Sequence, residues 1–509
     1  MDFISTHLLS LILFTPAVAA LLLLFMPKDE PRLYRWFALG ASLVPFVLSL
    51  IAWFHFQSGE PGFQFEETYV WYQAIGSSLH LGVDGLSLTM VLLTTLLTPL
   101  AILASFSITE KVKAYMMLFL FLEMGMLGVF MSLDLLVFFV FWEVGLVPMY
   151  FLINQWGSAN RNYASLKFLI YTMGGSLGLL LAIQLLGVLF GTYDLITLYQ
   201  NWTSLKPNEV LLGMSVQTVK TIAFWAFAIA FAIKIPVWPF HTWLPDAHTE
   251  APTAGSMILA GVLLKLGAYG FLRLILPLYP VEAKVFAGAL ALLATAAIVF
   301  GALASYAQTD FKRLVAYSSV NHMGFVVLGI AAAGLASGTE DATIALNGAI
   351  LQMFNHGLSA AGMFFLVGVI YERTHTRNLE EFGGLFPLVP VYGGILIFTS
   401  MASLGLPGLN GFISEFLVVR GTWPILTGYT VISMLGLLFT GAYILKGIKK
   451  VLHGPMNEHW AAARGEHRLT EINTREILVM APLMVLILWI GIYPAWILDV
   501  INKAVVMLF

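Results

Sequence analysis

Cysteine is absent from this chain of 509 residues, and charged residues make up only 10% of it. Without cysteine, the chain itself holds no disulfide, no cysteine-ligated zinc and no iron–sulfur cluster. Soluble proteins carry about 25% charged residues, so the low charge content argues against a soluble enzyme. The formal net charge of −3 gives no reason to expect a nucleic-acid partner. Hydrophobic residues make up 59% of the chain, which predicts a polytopic membrane protein surrounded by membrane lipid.

Long apolar runs divide the chain into fourteen predicted membrane spans. A bilayer core about 30 Å thick needs about 20 apolar residues per helix. Charge clusters and turn residues place the spans at roughly 3–25, 33–56, 79–107, 114–132, 134–154, 165–190, 218–247, 252–277, 284–307, 314–335, 343–371, 385–419, 427–450 and 476–499. The first run lacks a preceding positive segment, so we interpret it as a retained span and not as a cleaved signal.

Lysine and arginine are distributed unequally between the two sides of these spans. With the N-terminus outside, seventeen of the 25 fall on one side, between Lys28 and Arg475, whereas six fall on the other. Basic residues accumulate in cytoplasmic loops. We therefore expect a multi-pass protein of the cell inner membrane with both termini on the outer, periplasmic side.

The seventh and twelfth predicted spans are interrupted. In the seventh, Lys234 is followed by Pro236 and Pro239, and proline removes a backbone donor and clashes with the preceding turn. The twelfth contains the Gly- and Pro-containing segment 403–411 before Glu415. Two interrupted spans that cross in opposite directions are expected of an inverted-repeat transporter with its site at the midplane.

Six titratable residues are predicted to lie at similar depth in six different spans. A charged residue at the centre of a bilayer costs about 2.5–3.5 kcal/mol, so each needs a partner and a role. If their faces converge, the six form a polar row parallel to the membrane that can carry protons. They are Glu143, Lys234, Lys265, His322, His356 and Glu415.

Each of these residues also has a structural interpretation. Glu143 is the expected counter-charge of Lys234, and the pair either loads and releases a proton or only fixes helix packing. Lys265 is either a relay or a side chain that reaches a lipid headgroup. The two histidines are relays or hydrogen-bonded contacts between helices. Glu415 is an exit group or an anchoring carboxylate.

Further polar residues leave their roles open. Glu123 either contributes to the row or pairs within the bundle. Asp84 is predicted to be a helix cap of the third span or a turn residue, and Asp134 is predicted to cap the fifth span. His241 and His248 either bring protons to the centre or satisfy unwound backbone, because their seven-residue spacing fits no common metal-ligand pattern.

Four segments resemble the antiporter-like proton-pumping subunits of NADH–quinone oxidoreductase (respiratory complex I), and the likeness covers essentially the whole chain. The segments are Phe141-Trp142-Glu143, Lys234-Ile235-Pro236 with Leu244-Pro245-Asp246-Ala247-His248, Leu264-Lys265, and Gln308 to Ser319. The L-type and N-type chains of this family usually have lysine where this chain has Glu415, so the resemblance is to the M-type branch. The family also includes large subunits of multisubunit sodium/proton antiporters, which gives the alternative function.

The resemblance implies fourteen helices with two inverted five-helix repeats, in which helices seven and twelve are discontinuous. It implies a three-helix segment at residues 1–113, a first repeat (helices four to eight) at 114–278, a second (helices nine to thirteen) at 279–452, and an inner loop with a C-terminal helix at 453–509. Glu143 matches the channel glutamate, Lys234 the broken-helix lysine, Lys265 the bridging lysine and Glu415 the outlet residue.

The function implied by this resemblance is proton translocation from the cytoplasmic to the outer side, driven by quinone reduction elsewhere in the complex. The expected partners are other complex I membrane subunits, especially the L-type and N-type chains. No cofactor is expected on this chain, because NADH, FMN, iron–sulfur clusters and quinone belong to the complex as a whole. A purely structural membrane scaffold is the remaining alternative.

Overall fold

The computed structural model describes residues 6–462 and 469–507. The apolar segments fold as helices, because a helix satisfies its own backbone groups where lipid offers no hydrogen bonds. Two shorter apolar helices lie at Leu8–Leu24 and Pro390–Leu404. In the described residues, twelve helices are long and apolar enough to cross a membrane: Pro31–His55, Gly85–Ser107, Val112–Met131, Leu135–Trp156, Arg161–Phe190, Val216–Lys234, Thr253–Leu278, Ala287–Ala307, Phe311–Leu335, Glu340–Thr374, Thr427–Leu452 and Thr474–Ile492.

The remaining elements are short helices and two β-hairpins. The strands Gln64–Tyr72 and Ser77–Val83 pair antiparallel, as do Val210–Leu211 and Met214–Ser215. The predicted class, an all-α polytopic membrane protein, is confirmed, whereas the count of fourteen helices, the two repeats and the four-part division stay predictions. The short α-helices are Leu195–Ser204, Trp243–Glu250, Pro280–Val285, Asn410–Thr422, Glu458–Ala462 and Ala495–Met507.

Two predicted spans have wrong limits. The third span, predicted from residue 79, begins only at Gly85, because Ser77–Val83 is a strand of the first hairpin. Asp84 caps that helix by accepting a hydrogen bond from the Ser87 backbone N–H at 2.9 Å. The fourteenth span, predicted to residue 499, ends at Ile492, since Pro494 cannot donate the next backbone hydrogen bond. Hydropathy does not reveal the limits at Gly85 and Ile492, because the segments that flank them are also apolar.

Both expected helix breaks are present. The helix Val216–Lys234 ends at Lys234, and Trp243–Glu250 follows after eight residues without an α-helix. The indole N–H of Trp243 donates to the Ile233 carbonyl at 2.9 Å, which satisfies one of the acceptors that a helix end leaves free. The other helix, Pro390–Leu404, stops at Gly405, whose φ of +83° suits glycine, and Asn410–Thr422 follows.

The helices Thr253–Leu278 and Glu340–Thr374 form the centre of the molecule, and their apolar windows are fully buried. They pack closely at Gly261 and Gly357, where a Cβ on Gly357 would lie 2.9 Å from the Gly261 carbonyl oxygen. We name the two sides of the bundle by their charge. The basic face is the side at which Arg161, Arg313, Arg373 and Arg377 lie, and the opposite face is the side of the first β-hairpin. The core helices therefore present their mid-length residues to one another between these two faces.

Candidate functional site

Lys265 lies at the centre of the bundle, and its side chain is completely buried. It follows a π-helical turn at Leu259–Leu263, and its Nζ donates to the Ala260 carbonyl within that turn. The same Nζ lies 2.8 Å from Nδ1 of His356, on the neighbouring central helix. Because an ammonium group only donates, His356 Nδ1 accepts the hydrogen bond whenever the lysine is charged. Lys265, which has no carboxylate in its own span, is therefore hydrogen-bonded to the imidazole of a residue 91 positions later in the chain.

His356 continues the polar contacts toward the second broken helix. Its Nε2 lies 3.2 Å from the Ser319 hydroxyl, and its ring centroid lies 5.7 Å from that of His322. His322 Nδ1 lies 2.7 Å from Glu415 Oε1, and both side chains are buried. Four of the six predicted residues are therefore hydrogen-bonded in two pairs, Lys265 with His356 and His322 with Glu415, on four different helices.

Glu415 and His322 each have a further hydrogen-bond partner. Gln352 Nε2 donates to the same Glu415 oxygen at 3.1 Å, and the Ser414 hydroxyl donates to Gln352 Oε1 at 2.5 Å. The Nε2 atom of His322, on the other side of the ring from Glu415, lies 3.2 Å from the Tyr443 hydroxyl. We did not single out Gln352 or Tyr443 from the sequence, and neither stands out there because polar residues are common at helix contacts.

Glu143 and Lys234 lie on the other side of Lys265 and are less tightly joined. Lys234 Nζ lies 5.1 Å above the Trp142 ring and has no hydrogen-bond partner within the described part of the chain. Glu143 interacts with it electrostatically, but the two side chains do not come within the 4.0 Å of an ion pair. The expected counter-charge is therefore near Lys234 without direct contact. The Trp142 indole N–H donates to the Ser176 hydroxyl at 3.0 Å, which fixes the ring.

His248, whose role the sequence left open, lies near Lys265. It lies on Trp243–Glu250, the short helix after the break, and is completely buried. Its ring stacks on Phe364 at 4.3 Å, and neither ring nitrogen has a hydrogen-bond partner among the described residues. It is within electrostatic reach of Lys265 and His356. A histidine after an unwound segment is the available sequence signal, and the structure places it beside the row.

The other residues considered from the sequence are now located. Asp134 caps the helix Leu135–Val144 by accepting from Leu136 N at 2.9 Å and Val137 N at 3.0 Å, as predicted. Glu123 is completely buried, and neither of its oxygens has a hydrogen-bond partner in the residues that the structure covers. Within the same residues, no group of three His, Asp or Glu side chains is arranged to hold a metal ion.

The arrangement suits proton transfer along the membrane plane. The row consists of carboxylate, amine and imidazole groups, and each can hold or pass a proton. Hydrogen bonds hold the pairs Lys265–His356 and His322–Glu415, and the two histidine ring centroids lie 5.7 Å apart. Among the described residues, Lys234 and His248 have polar nitrogens without hydrogen-bond partners. Buried polar groups are normally hydrogen-bonded, so such orphans mark places where a transient partner or water is needed.

Comparison with known families identifies the family of the chain. Residues 132–441 match the model of the family described as "NADH:quinone oxidoreductase/Mrp antiporter, TM". The chain belongs to this family. The matched region contains all six predicted site residues and both helix breaks.

Individual members of the family resemble the chain over its whole length. Subunit M of NADH-quinone oxidoreductase from Rhodobacter capsulatus is 41% identical, over 98% of this chain and 96% of the relative. Chain 4 of NADH-ubiquinone oxidoreductase from Chondrus crispus is 38% identical, over 96% and 94%. A chain in the structure of respiratory complex I from Thermus thermophilus with bound NADH aligns with a TM-score of 0.84 at 27% identity, over 98% and 99%. The M-type resemblance deduced from Glu415 is therefore confirmed.

Proposed function

We propose that this chain is a proton-translocating membrane-arm subunit of NADH–quinone oxidoreductase. The observation that carries the proposal is the buried series Lys265–His356–His322–Glu415, in which donor and acceptor atoms of the first and last pairs lie 2.8 Å and 2.7 Å apart. A buried row of titratable groups is costly in a membrane and is expected where protons or ions move. The family membership supplies the reaction that drives them, quinone reduction elsewhere in the complex.

In this proposal protons enter from the basic face, which is the inner side, and leave on the outer side. They reach Glu143 and Lys234, pass to Lys265 and then move through His356 and His322 to Glu415. Among the described residues no hydrogen bond joins Lys234 to Lys265, and His248, whose ring nitrogens are also unpaired, lies within electrostatic reach of Lys265. A proton therefore crosses this step only when a side chain or water completes the connection.

The location and partners follow from the same proposal. The chain lies in the cell inner membrane with both termini on the outer side, because basic residues accumulate on the inner side of membrane proteins. Its neighbours are other membrane subunits of the complex, especially L-type and N-type chains. NADH, FMN, iron–sulfur clusters and quinone are expected on other subunits.

The direct test replaces the first two groups of the row with neutral residues of similar size, Glu143→Gln and Lys234→Met. In inside-out membrane vesicles, NADH-driven acidification of the lumen should fall about 100-fold or more, because a positioned proton-transfer group contributes at least that much. NADH oxidation should fall with it, since the two processes are coupled. The matched controls are Glu380→Gln and Lys450→Met, which break an exposed ion pair of 2.7 Å at the basic face and should pump normally.

Wild-type pumping by either Glu143→Gln or Lys234→Met would reject the proton path. If neutral substitutions at all six positions left pumping intact, the chain would be a structural scaffold.

The alternative function is a subunit of a multisubunit sodium/proton antiporter, because the family description names both classes. An antiporter exchanges sodium for protons without NADH. We expect an imposed sodium gradient to move no protons across vesicles that contain this chain in its complex. Sodium-dependent exchange that disappears in Lys234→Met would favour the antiporter over the pump.

A further inference from the structure

The face of Thr253–Leu278 that carries Lys265 continues toward the opposite face of the bundle. Tyr269 and Arg273 follow Lys265 at intervals of four residues, which places all three on one side of the helix. Each is almost completely buried. A second π-helical turn, Phe271–Ile275, contains Arg273. Such turns are rare and often occur at functional sites. None of the steps proposed above uses Tyr269 or Arg273.

Arg273 joins Tyr269 to a carboxylate on another helix. Its Nε donates to the Tyr269 hydroxyl at 3.1 Å, and its guanidinium lies 2.6 Å from Asp84 Oδ2. The Tyr269 hydroxyl donates to the Phe130 carbonyl at 2.9 Å, and the Ser87 side chain lies within its electrostatic reach. Ser87 in turn donates to Asp84 Oδ1 at 2.9 Å. Two hydroxyl groups therefore connect Tyr269 with Asp84, beside a fixed positive charge.

The Arg273–Asp84 pair forms part of the wall of a cavity at the opposite face. The cavity has a volume of about 490 Å³ and is also lined by Phe63, Glu66 and Tyr199. A water molecule occupies about 30 Å³, so the cavity has room for several. The Glu66 side chain is 44% exposed, which shows that this region communicates with the surface. The ion pair thus separates a cavity large enough for water from the buried centre.

We propose that this cavity is the proton-release site of the first half of the chain, with Asp84 as the last acceptor and Arg273 as the barrier to return. The inference rests on the proposed function. A proton leaves the Lys265 ammonium for the Tyr269 hydroxyl, whose own O–H turns from the Phe130 carbonyl and passes its proton through Ser87 to the Asp84 carboxylate. Asp84 then gives the proton to water in the cavity, so one proton moves and no other bond changes. This exit is separate from Glu415.

The structure shows this route in its closed position. Lys265 Nζ binds the Ala260 carbonyl and His356, and it therefore points toward the N-terminal end of its helix and away from Tyr269. A pump must not connect the two sides of the membrane at the same time. Lys265 meets this requirement if it contacts either His356 or Tyr269 but not both. The fixed charge of Arg273 opposes protons returning from the cavity, as arginine does in selective pores.

The first test is Asp84→Asn, because asparagine caps a helix as well as aspartate but does not accept a proton. NADH-driven acidification of inside-out vesicles should fall about tenfold or more, since a positioned proton acceptor typically contributes about 100-fold. Tyr269→Phe removes only one hydroxyl and should lower pumping in the same way. The matched control is Asp341→Asn, which breaks the exposed Arg420–Asp341 pair of 2.7 Å and should leave pumping unchanged.

The second test separates a barrier from a structural contact. With an acidic lumen and no NADH, Arg273→Gln should let the pH gradient decay several times faster than in the wild type. Adding Lys265→Met to the same chain should restore the slow decay, because the leak passes through Lys265. A leak that persists in the double variant, or wild-type pumping by Asp84→Asn and Tyr269→Phe, overturns the release site.

The two proposals fail separately. If Glu143→Gln and Lys234→Met abolish pumping while Asp84→Asn and Tyr269→Phe pump normally, the proposed function stands and the release site is rejected. If the first pair pumps normally, the proposed function itself is rejected.

Discussion

The contact between Lys265 and His356 makes the strongest quantitative prediction. In His356→Leu, Lys265 Nζ loses its acceptor at 2.8 Å and keeps only the Ala260 carbonyl. A hydrogen bond to a charged group contributes about 1.5–3 kcal/mol. Since about 1.4 kcal/mol corresponds to a factor of ten, proton transfer through this position should slow by about 10- to 100-fold. The Ser319 hydroxyl also loses its contact with His356, and the imidazole that lies 5.7 Å from the His322 ring is removed.

The assay is NADH-driven acidification of inside-out vesicles, with NADH oxidation followed in the same sample. Asn321→Leu is the matched control, because Asn321 adjoins His322 and loses two hydrogen bonds, to Ile298 O at 2.9 Å and Thr440 Oγ1 at 3.1 Å. It should lower stability and leave most of the pumping. Equal losses in the two variants would attribute the effect of His356→Leu to packing.

A second substitution at the same position separates a relay from an anchor. The side-chain amide of His356→Gln can accept a hydrogen bond from Lys265, but it does not carry a proton at neutral pH. If His356 is a relay, His356→Gln should pump as poorly as His356→Leu. Near-normal pumping by His356→Gln would refute the relay and leave only an anchoring role.

Two further predictions concern the ends of the proposed path. Trp142→Leu removes the ring 5.1 Å from Lys234, and a desolvated cation–π contact contributes about 2 kcal/mol, so pumping should fall about 30-fold, with a smaller loss in Trp142→Phe. At the opposite face, the hydrogen bond with Asp194 raises the pKa of His80 above its usual value, and Glu66 adds to the rise against the effect of partial burial. The stabilisation of the hairpin by His80 is therefore complete below about pH 6.5 and is lost as the pH rises through the raised pKa. Proteolysis of the hairpin should accordingly become faster as the pH increases. In His80→Gln this pH dependence should disappear.

Depth in the membrane could be predicted from the sequence, but contacts between spans could not. Lys265 and His356 are both about thirteen residues into their predicted spans, which placed them at one level. Their 2.8 Å contact depends on how two helices 91 residues apart turn toward each other. The same limit explains why Gln352 and Tyr443 were missed. Nothing in a single sequence says which face of a uniformly apolar helix meets a given neighbour.

Helix caps were the most predictable local features, and span limits taken from hydropathy were the least predictable. The caps at Asp84 and Asp134 follow from a side-chain acceptor that precedes an apolar run, and both are present. The third span was extended into the strand Ser77–Val83, because an apolar strand and an apolar helix look alike in a short window. Asp84 itself marks the true boundary. A cap signal therefore deserves more weight than hydropathy in placing a helix end.

Some residues of the proposed proton path are hydrogen-bonded to each other and others are not, and this difference indicates the step at which the proposed pump is controlled. From Lys265 to Glu415, hydrogen bonds hold the first and last pairs and the two imidazole centroids lie only 5.7 Å apart, so proton exchange there needs little movement. Lys234 is different, because it is the last residue of its helix and its Nζ has no hydrogen-bond partner in the described chain. The eight residues after it are not held in an α-helix. A site with an unpaired ammonium beside irregular backbone can be rearranged at low cost, whereas the hydrogen-bonded part cannot. We therefore expect the energy of quinone reduction to act on the connection between Lys234 and Lys265, with the remainder of the row following it.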